Sequence, residues 1–97
     1  MEPNDAIAAM SALAQPTRLR CFSLLASGPP RTAGDLADTL GVPANTMSAH
    51  LAILSRAGLI ASTKSGRYVV YEAVRSTSDG LARFVAALSS GSPKRQA

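Results

Sequence analysis

Apolar residues recur at helical spacing through the first half of the chain and predict four helices. The predicted helices cover approximately residues 4–14, 16–27, 32–40 and 44–57. Proline and glycine mark their boundaries: Pro16 begins the second helix, Gly41 ends the third and Gly58 ends the fourth. Proline suits the first turn of a helix, and glycine readily takes the left-handed conformation found just beyond a helix end.

Each predicted helix carries an apolar stripe. The stripe positions are Ile7, Met10, Leu13 and Ala14; Leu19, Phe22, Leu25 and Ala26; Leu36, Ala37 and Leu40; and Met47, Leu51 and Leu54. We expect the stripes of the middle three helices to face a common core, because an amphipathic helix buries its apolar face.

After Gly58 the apolar period changes from 3.6 residues to 2. Residues 59–63 and 67–73 are rich in Ile, Val, Tyr and Thr, and Lys64-Ser65-Gly66 separates them, which predicts a β-hairpin with a basic tip. A last helix begins near residues 76–78, and residues 89–97 are predicted to form a flexible tail. The fold class is therefore mainly α with a small β-hairpin, in one domain over residues 1–88.

The segment 35–54 has the spacing of a helix-turn-helix. Gly41 allows a tight turn between the two helices, and Ala37 is small enough for the second helix to cross close to it. Val42, Met47 and Leu51 supply the apolar contacts that would fix the crossing. The alternative is an ordinary helical hairpin.

In a helix-turn-helix, the exposed side of the second helix enters the major groove, its N-terminal end first. The candidate DNA-binding residues on this helix are Asn45, Thr46, Ser48, Ala49, His50 and Arg56. Asn can pair with adenine, hydroxyls can bond base edges or phosphates, and the Ala methyl suits thymine. Helix capping and solvation are the alternative roles of Thr46 and Ser48, and a structural role is the alternative for His50.

The predicted hairpin follows this helix directly and forms a winged helix-turn-helix with it. Lys64 and Arg67 flank its tip and are candidates for contact with phosphate or the minor groove. The alternative is that these charges keep an exposed edge strand from aggregating.

Composition supports a polyanionic partner and excludes several classes of protein. The 97 residues carry a net charge of +4, and residues 41–97 hold seven basic residues against Glu72 and Asp79. A membrane span and a signal peptide are not expected, which favours the cytoplasm. Cys21 and His50 are the only residues of their types and lie in different helices, and neither a clustered acid pair nor a glycine-rich phosphate loop is present. The chain is therefore not expected to be an enzyme.

Together these motifs resemble the ArsR/SmtB family of winged-helix repressors, over about residues 5–88. The segments that carry the resemblance are Leu13-Ala14-Gln15-Pro16-Thr17-Arg18-Leu19-Arg20, Asp35-Leu36-Ala37, Leu40-Gly41-Val42, Asn45-Thr46-Met47-Ser48-Ala49-His50-Leu51, Ala57-Gly58-Leu59-Ile60 and Gly66-Arg67-Tyr68-Val69-Val70-Tyr71. The resemblance implies a homodimeric repressor, built through its first and last helices, on a palindromic operator near its own promoter. It also implies that an inducer lowers the affinity for DNA.

The residue pattern independently favours a dimer. Charged residues make up only 16% of the chain, and the first and last helices carry apolar residues outside the helix-turn-helix. These residues are candidates for the core or for the dimer interface, between which the sequence does not decide: Ile7, Met10, Leu81, Phe84, Val85 and Leu88.

The inducer is not identified by the sequence. Relatives that bind metal place a cysteine pair on the third helix, where Thr32 and Gly34 stand here, or ligands on the last helix, where no histidine is found. The amino-acid sequence around the fourth helix is similar to that of an arsenic-responsive subgroup of the family. In this chain, however, Ser89 and Ser90 stand where the cysteine pair of that subgroup is expected. Hydroxyls do not replace soft thiolates as ligands, so no metal and no cofactor are predicted.

Two alternative functions stay open. Cys21 is either a small buried residue or a thiol sensor whose pKa Arg18 and Arg20 would lower if it were exposed. The small, uncharged face of the fourth helix is also compatible with a winged helix that binds a protein and no longer reads DNA.

Overall fold

Five helices and three short strands make up the fold. A computed structural model describes the backbone of residues 1–96 and the side chains of residues 1–90. In chain order the elements are α1 (Pro3–Leu13), α2 (Pro16–Ala26), β1 (Arg31–Thr32), α3 (Ala33–Leu40), α4 (Ala44–Arg56), β2 (Ile60–Ser65), β3 (Tyr68–Ala73) and α5 (Arg75–Gln96). The predicted fold class is confirmed, and the first four helices lie within one residue of their predicted bounds at both ends.

Side-chain and backbone caps explain why the helices begin and end where they do. The Gln15 side chain accepts a hydrogen bond from the Arg18 backbone N–H (2.8 Å) at the start of α2, and the Thr32 hydroxyl accepts one from the Asp35 N–H (3.1 Å) at the start of α3. At the other end of α2, the Arg75 guanidinium donates to the Ala26 carbonyl oxygen. This contact joins the end of α2 to the start of α5.

The strands form one antiparallel sheet in the order β1-β3-β2. The β2–β3 hairpin pairs Ile60 with Ala73 at its base and Ser65 with Tyr68 at its tip, so Gly66 and Arg67 form the turn. The tip predicted at Lys64-Ser65-Gly66 is therefore wrong, because pairing continues through Lys64 and Ser65. Strand β1 was not predicted; it has only two residues and takes its pairing from β3.

The core lies where α2, α3 and α4 meet the base of the hairpin. Its largest fully buried side chains are Leu25, Leu36, Met47, Leu51, Leu54, Leu59 and Cys21. The predicted core positions of α4 are thus confirmed, and Leu36 and Ala37 are buried as predicted on α3.

Helix α1 turns its small side chains inward, and α2 buries only part of its predicted stripe. Helix α1 buries Ala6, Ala9 and Ala12 and leaves Ile7 and Met10 exposed, which removes the core as their place. On α2, Leu25 is buried and Phe22 packs against the core as predicted, but Leu19 is 52% exposed and Thr17 and Cys21 are buried instead. Small side chains allow close approach, which a pattern of large apolar residues does not reveal.

The last helix extends further than the sequence indicated. Helix α5 runs to Gln96, whereas its predicted end was near residue 88. Helical structure thus replaces the expected tail over residues 89–96, while the flexibility assigned to 89–97 stays a prediction and Ala97 lies outside the described residues. Within the described part of the chain, no helix is both long enough and apolar enough to cross a bilayer.

Candidate nucleic-acid interface

The turn between α3 and α4 has the geometry that a helix-turn-helix needs. Gly41 lies in the left-handed region at φ 69°, and the Gly41 and Val42 N–H groups both donate to the Ala37 carbonyl oxygen. Pro43 is extended and precedes the first turn of α4, where the Met47 N–H donates to its carbonyl oxygen (2.9 Å). These contacts close α3 and start α4 after only three residues.

The exposed positions at the start of α4 are those the sequence analysis singled out. Asn45, Thr46, Ser48 and Ala49 are exposed, while Met47 is fully buried between them and holds the helix on the core. The Asn45 side-chain oxygen accepts a hydrogen bond from the Thr46 N–H (3.0 Å). This contact leaves the Asn45 side-chain NH2 group and the second lone pair of its oxygen available to a ligand. The first two turns of α4 therefore present small polar groups and no charge.

His50 is half-buried and lies beside the first turn of α2. Its Nδ1 atom is 3.4 Å from Nη1 of Arg18, whose Nε donates to the Ala12 carbonyl oxygen of α1 (2.6 Å). The sequence gave no signal for this contact across 32 residues. Arg18 thus bonds the end of α1 and faces the side of α4.

Arg56 lies at the opposite end of α4 from Asn45. Eleven residues separate them, which is about 16 Å along a helix axis. Arg56 lines a groove against α1 together with Ala8 and Ala57. The structure therefore does not bring Arg56 together with the other candidate DNA-binding residues of α4.

The β2–β3 hairpin projects from the core as a wing. Ile60 is buried, but every β2 residue after it is exposed. Lys64 and Arg67 are both exposed near the tip, where Gly66 takes φ 65°. Tyr68, which was not singled out in the sequence, is 61% exposed next to Arg67. Two cations and an aromatic ring thus share the end of the wing.

Exposure separates the six candidate dimer residues into two groups. Leu81 and Phe84 are half-buried, and Leu81 packs against the core. Ile7 and Leu88 are each 59% exposed, and Met10 and Val85 are exposed as well. The second group forms apolar patches on α1 and α5 that the single chain leaves uncovered.

Cys21 is completely buried on the inner face of α2. Burial raises the pKa of its thiol to about 11, because the surrounding apolar core disfavours the thiolate. The thiolate is the reactive form of cysteine, so the environment of Cys21 is that of a structural residue rather than of a thiol sensor.

Alkylation should therefore discriminate sharply between folded and unfolded protein. At pH 8 we expect Cys21 to react with iodoacetamide at least about 100-fold more slowly in the native protein than in urea, since the thiolate fraction falls by that factor for two units of pKa. Time-resolved mass spectrometry measures both rates. Similar rates in the two conditions would restore the sensor alternative.

Thr32, Ser89 and Ser90 stand where the resembled family would place cysteine ligands. The Thr32 hydroxyl caps α3, and Ser89 and Ser90 are exposed on α5. Among the described residues, no three His, Cys, Asp or Glu side chains are grouped to hold a metal ion. The absence of a metal stays a prediction.

The fold and the placement of α4 beside a projecting hairpin define a winged helix-turn-helix protein. Residues 13–63 match the family model described as a helix-turn-helix domain. This chain belongs to that family. The matched segment runs from the end of α1 through α4 into the wing.

Two curated relatives are regulators. The chain is 38% identical to the HTH-type transcriptional regulator NmtR of Mycobacterium tuberculosis over 63 aligned residues; the alignment covers 64% of this chain and 51% of NmtR. It is 35% identical to the transcriptional repressor SdpR of Bacillus subtilis over 60 aligned residues; that alignment covers 62% of this chain and 66% of SdpR. The chain thus spans about half to two thirds of the length of these relatives.

Solved structures share nearly the whole fold. An ArsR-like transcriptional regulator from Rhodococcus sp. RHA1 superimposes with a TM-score of 0.87 at 26% identity, covering 96% of this chain and 87% of that one. A homodimeric winged helix-turn-helix DNA-binding domain from Mycobacterium bovis gives a TM-score of 0.70 at 26% identity, with coverage of 96% and 82%. Together with the family match, these structures identify the chain as a member of the ArsR/SmtB transcriptional regulators.

Proposed function

We propose that this chain is a transcriptional repressor that binds a palindromic DNA operator as a homodimer. The observation that carries the proposal is the start of α4, where four small side chains are exposed beside a cationic wing: Asn45, Thr46, Ser48 and Ala49. An uncharged helix surface fits the floor of the major groove, and flanking cations fit the phosphates that border it.

In this complex, α4 lies in the major groove with its N-terminal end towards the bases. The Asn45 side chain is the group best suited to pair with a base, since its amide offers both a donor and an acceptor. Arg67 and Lys64 bind phosphate or enter the neighbouring minor groove from the wing. Arg56 is left out of the proposed contact set because it lies against α1.

The homodimer forms through the uncovered apolar residues of α1 and α5. Covering Ile7, Met10, Val85 and Leu88 with a second copy removes from water the largest exposed apolar side chains of these two helices. The two α4 helices must then lie about 34 Å apart to reach successive major grooves on one side of the duplex. Two-fold symmetry of the protein requires a palindromic site.

Release by an inducer completes the proposed regulation. The inducer is unidentified and, from the residues available, is not a thiophilic metal. The repressor acts where the chromosome lies, so the proposal places it in the cytoplasm.

A binding assay with the DNA upstream of its own reading frame tests the proposal. We expect fluorescence anisotropy to show tight binding to one palindrome, and log affinity to fall steeply with log salt concentration, as it does for roughly 4–8 phosphate contacts. Equal affinity for random duplex at moderate salt would overturn sequence-specific repression.

Two alanine variants should separate base recognition from phosphate binding. We expect Asn45→Ala to reduce the preference for the palindrome over random DNA by about 10-fold, because a bidentate base contact is worth about 1–3 kcal/mol. Arg67→Ala should weaken binding to all duplexes alike and lower the salt slope by about one. Anisotropy titrations at three salt concentrations measure both effects. An equal loss on all DNAs for Asn45→Ala would contradict base recognition.

The same uncharged α4 surface favours a second candidate, a protein-binding winged helix. A partner that binds there would compete with DNA for one surface. If the chain shows no DNA preference but binds a protein, and Asn45→Asp abolishes that binding, this second function replaces the first.

A further inference from the structure

Arg18, which lies on α2, contacts both α1 and α4. Its guanidinium donates through Nε to the Ala12 carbonyl oxygen (2.6 Å), and Nη2 is 3.5 Å from the Ser11 carbonyl oxygen. Both oxygens belong to the last turn of α1, where carbonyls have no partner four residues on within the helix and attract cations; the Ser11 oxygen also accepts from the Ala14 N–H (3.2 Å). Helix α1 has no basic residue of its own in that turn.

The same guanidinium faces α4. Nη1 lies 3.4 Å from Nδ1 of His50. A guanidinium has only donors, so Nδ1 takes the acceptor role when this contact is a hydrogen bond. The contact with Arg18 thus engages one of the two ring nitrogens of His50, which lies one helical turn after the exposed Thr46.

Helix α1 packs on the core through small side chains, Ala9 and Ala12 among them, which make close apolar contact but form no side-chain hydrogen bonds. Beside that contact, an open groove of about 240 Å³ lies between α1 and the second half of α4, and its lining is Ala8, Ser11, Ala12, Ile53, Arg56 and Ala57. Apolar contacts between small side chains are non-directional, whereas hydrogen bonds have a preferred geometry. Among the described residues, the side-chain hydrogen bonds that reach both α1 and α4 are those of Arg18.

We propose that Arg18 is a positioning residue that fixes the recognition helix α4 relative to α1 and so sets the half-site spacing that the dimer accepts. This inference rests on the proposed function, in which α1 belongs to the dimer interface and α4 enters the major groove. Because Arg18 bonds α1 on one side and His50 on the other, it fixes the distance and the orientation of each α4 helix relative to the dimer axis. One added base pair moves a half-site by about 3.4 Å and rotates it by about 35°.

Operators with altered spacing test the inference. A series of duplexes carries the palindrome with one base pair inserted or removed at its centre. We expect the wild-type dimer to lose at least about 10-fold in affinity at either altered spacing, since one such shift misplaces the contacts of a half-site. Arg18→Gln should bind the best spacing more weakly, and the penalty for altered spacing should shrink to about 3-fold or less, because an untethered α4 can follow the displaced groove.

Two further variants make the result specific. His50→Leu removes the acceptor from α4 and should flatten the spacing dependence as Arg18→Gln does, and the double variant should flatten it no further. Arg56→Gln is the matched control. It removes an arginine that lines the groove between α1 and α4 but takes no part in the Arg18 contacts, so it should leave the spacing dependence unchanged. Light scattering and circular dichroism on each variant report the dimer and the fold.

The outcomes distinguish the two levels of the proposal. No preference of the wild type for any palindrome overturns the proposed function. A steep spacing dependence in the wild type that persists in Arg18→Gln and in His50→Leu overturns only the positioning role. If Arg18→Gln does not fold, the result for His50→Leu alone decides.

Discussion

Replacing Leu88 by aspartate is expected to weaken self-association by at least about 100-fold and to abolish binding to a two-half-site operator. Leu88 is 59% exposed on α5, and two-fold symmetry brings it into the proposed interface twice. Burying a leucine contributes about 1.5–3 kcal/mol, so the loss of two leucines alone explains a 100-fold weaker dimer. Burying two carboxylates would weaken the dimer further. Sedimentation equilibrium measures the dissociation constant of the dimer.

The matched control for Leu88→Asp is Ala86→Asp. Ala86 is exposed on the same helix, but about 160° away around the helix axis, and it points away from the proposed interface. It receives the same charge, so any general effect of a new carboxylate on α5 appears in both variants. If the two variants dimerise equally well, α5 does not form the interface and another surface must pair the two copies.

The helix-turn-helix could be predicted from sequence because each of its requirements concerns a single residue type at a fixed offset. Gly41 is needed for a left-handed residue, and it takes φ 69°. Ala37 is needed where two helices approach, and it is 5% exposed. Met47 and Leu51 mark the inner face of α4. Local backbone chemistry and the helical period thus determine this part of the fold together.

Features that depend on partners far along the chain could not be predicted in this way. Strand β1 has two residues, so it has no apolar alternation of its own and exists through its pairing with Val70 and Tyr71. The inner face of α1 consists of Ala6, Ala9 and Ala12, which carry little apolar area. The larger Ile7 and Met10 dominate the pattern but lie outside. The positions of the large apolar residues in the sequence therefore identified the uncovered face of α1 rather than its buried face.

The candidate site shows the same division. The exposure of Asn45, Thr46, Ser48 and Ala49 follows from the helical period once the buried positions of α4 are known. The contacts of Arg18 do not, because they join α2 to the end of α1 and to His50, 32 residues away. A cation in a helix's first turn gives no sign of which carbonyls it meets. Sequence periodicity thus identifies the proposed DNA-binding surface, but not the contacts proposed to orient it.

Replacing Leu54 by alanine is expected to lower the free energy of unfolding by about 3 kcal/mol, which is the largest stability change we predict for a single truncation in α4. Leu54 is fully buried where α4 meets the core. Removing its side-chain atoms forfeits their burial and leaves a cavity that the surrounding helices fill only in part. For a domain of about 100 residues, the midpoint of thermal unfolding should fall by more than about 10 °C.

The neighbouring residue supplies the control for Leu54→Ala. Ile53 is 36% exposed and lines the groove between α1 and α4, so Ile53→Ala removes a similar side-chain volume from a site that water already reaches. We expect it to cost less than about 1.5 kcal/mol, because partial exposure leaves less burial to lose. Urea unfolding at one protein concentration, well above the dissociation constant of the dimer, measures both variants on the same footing. Equal losses at residues 53 and 54 would contradict the inward face of α4, on which the exposure of its proposed DNA-binding side depends.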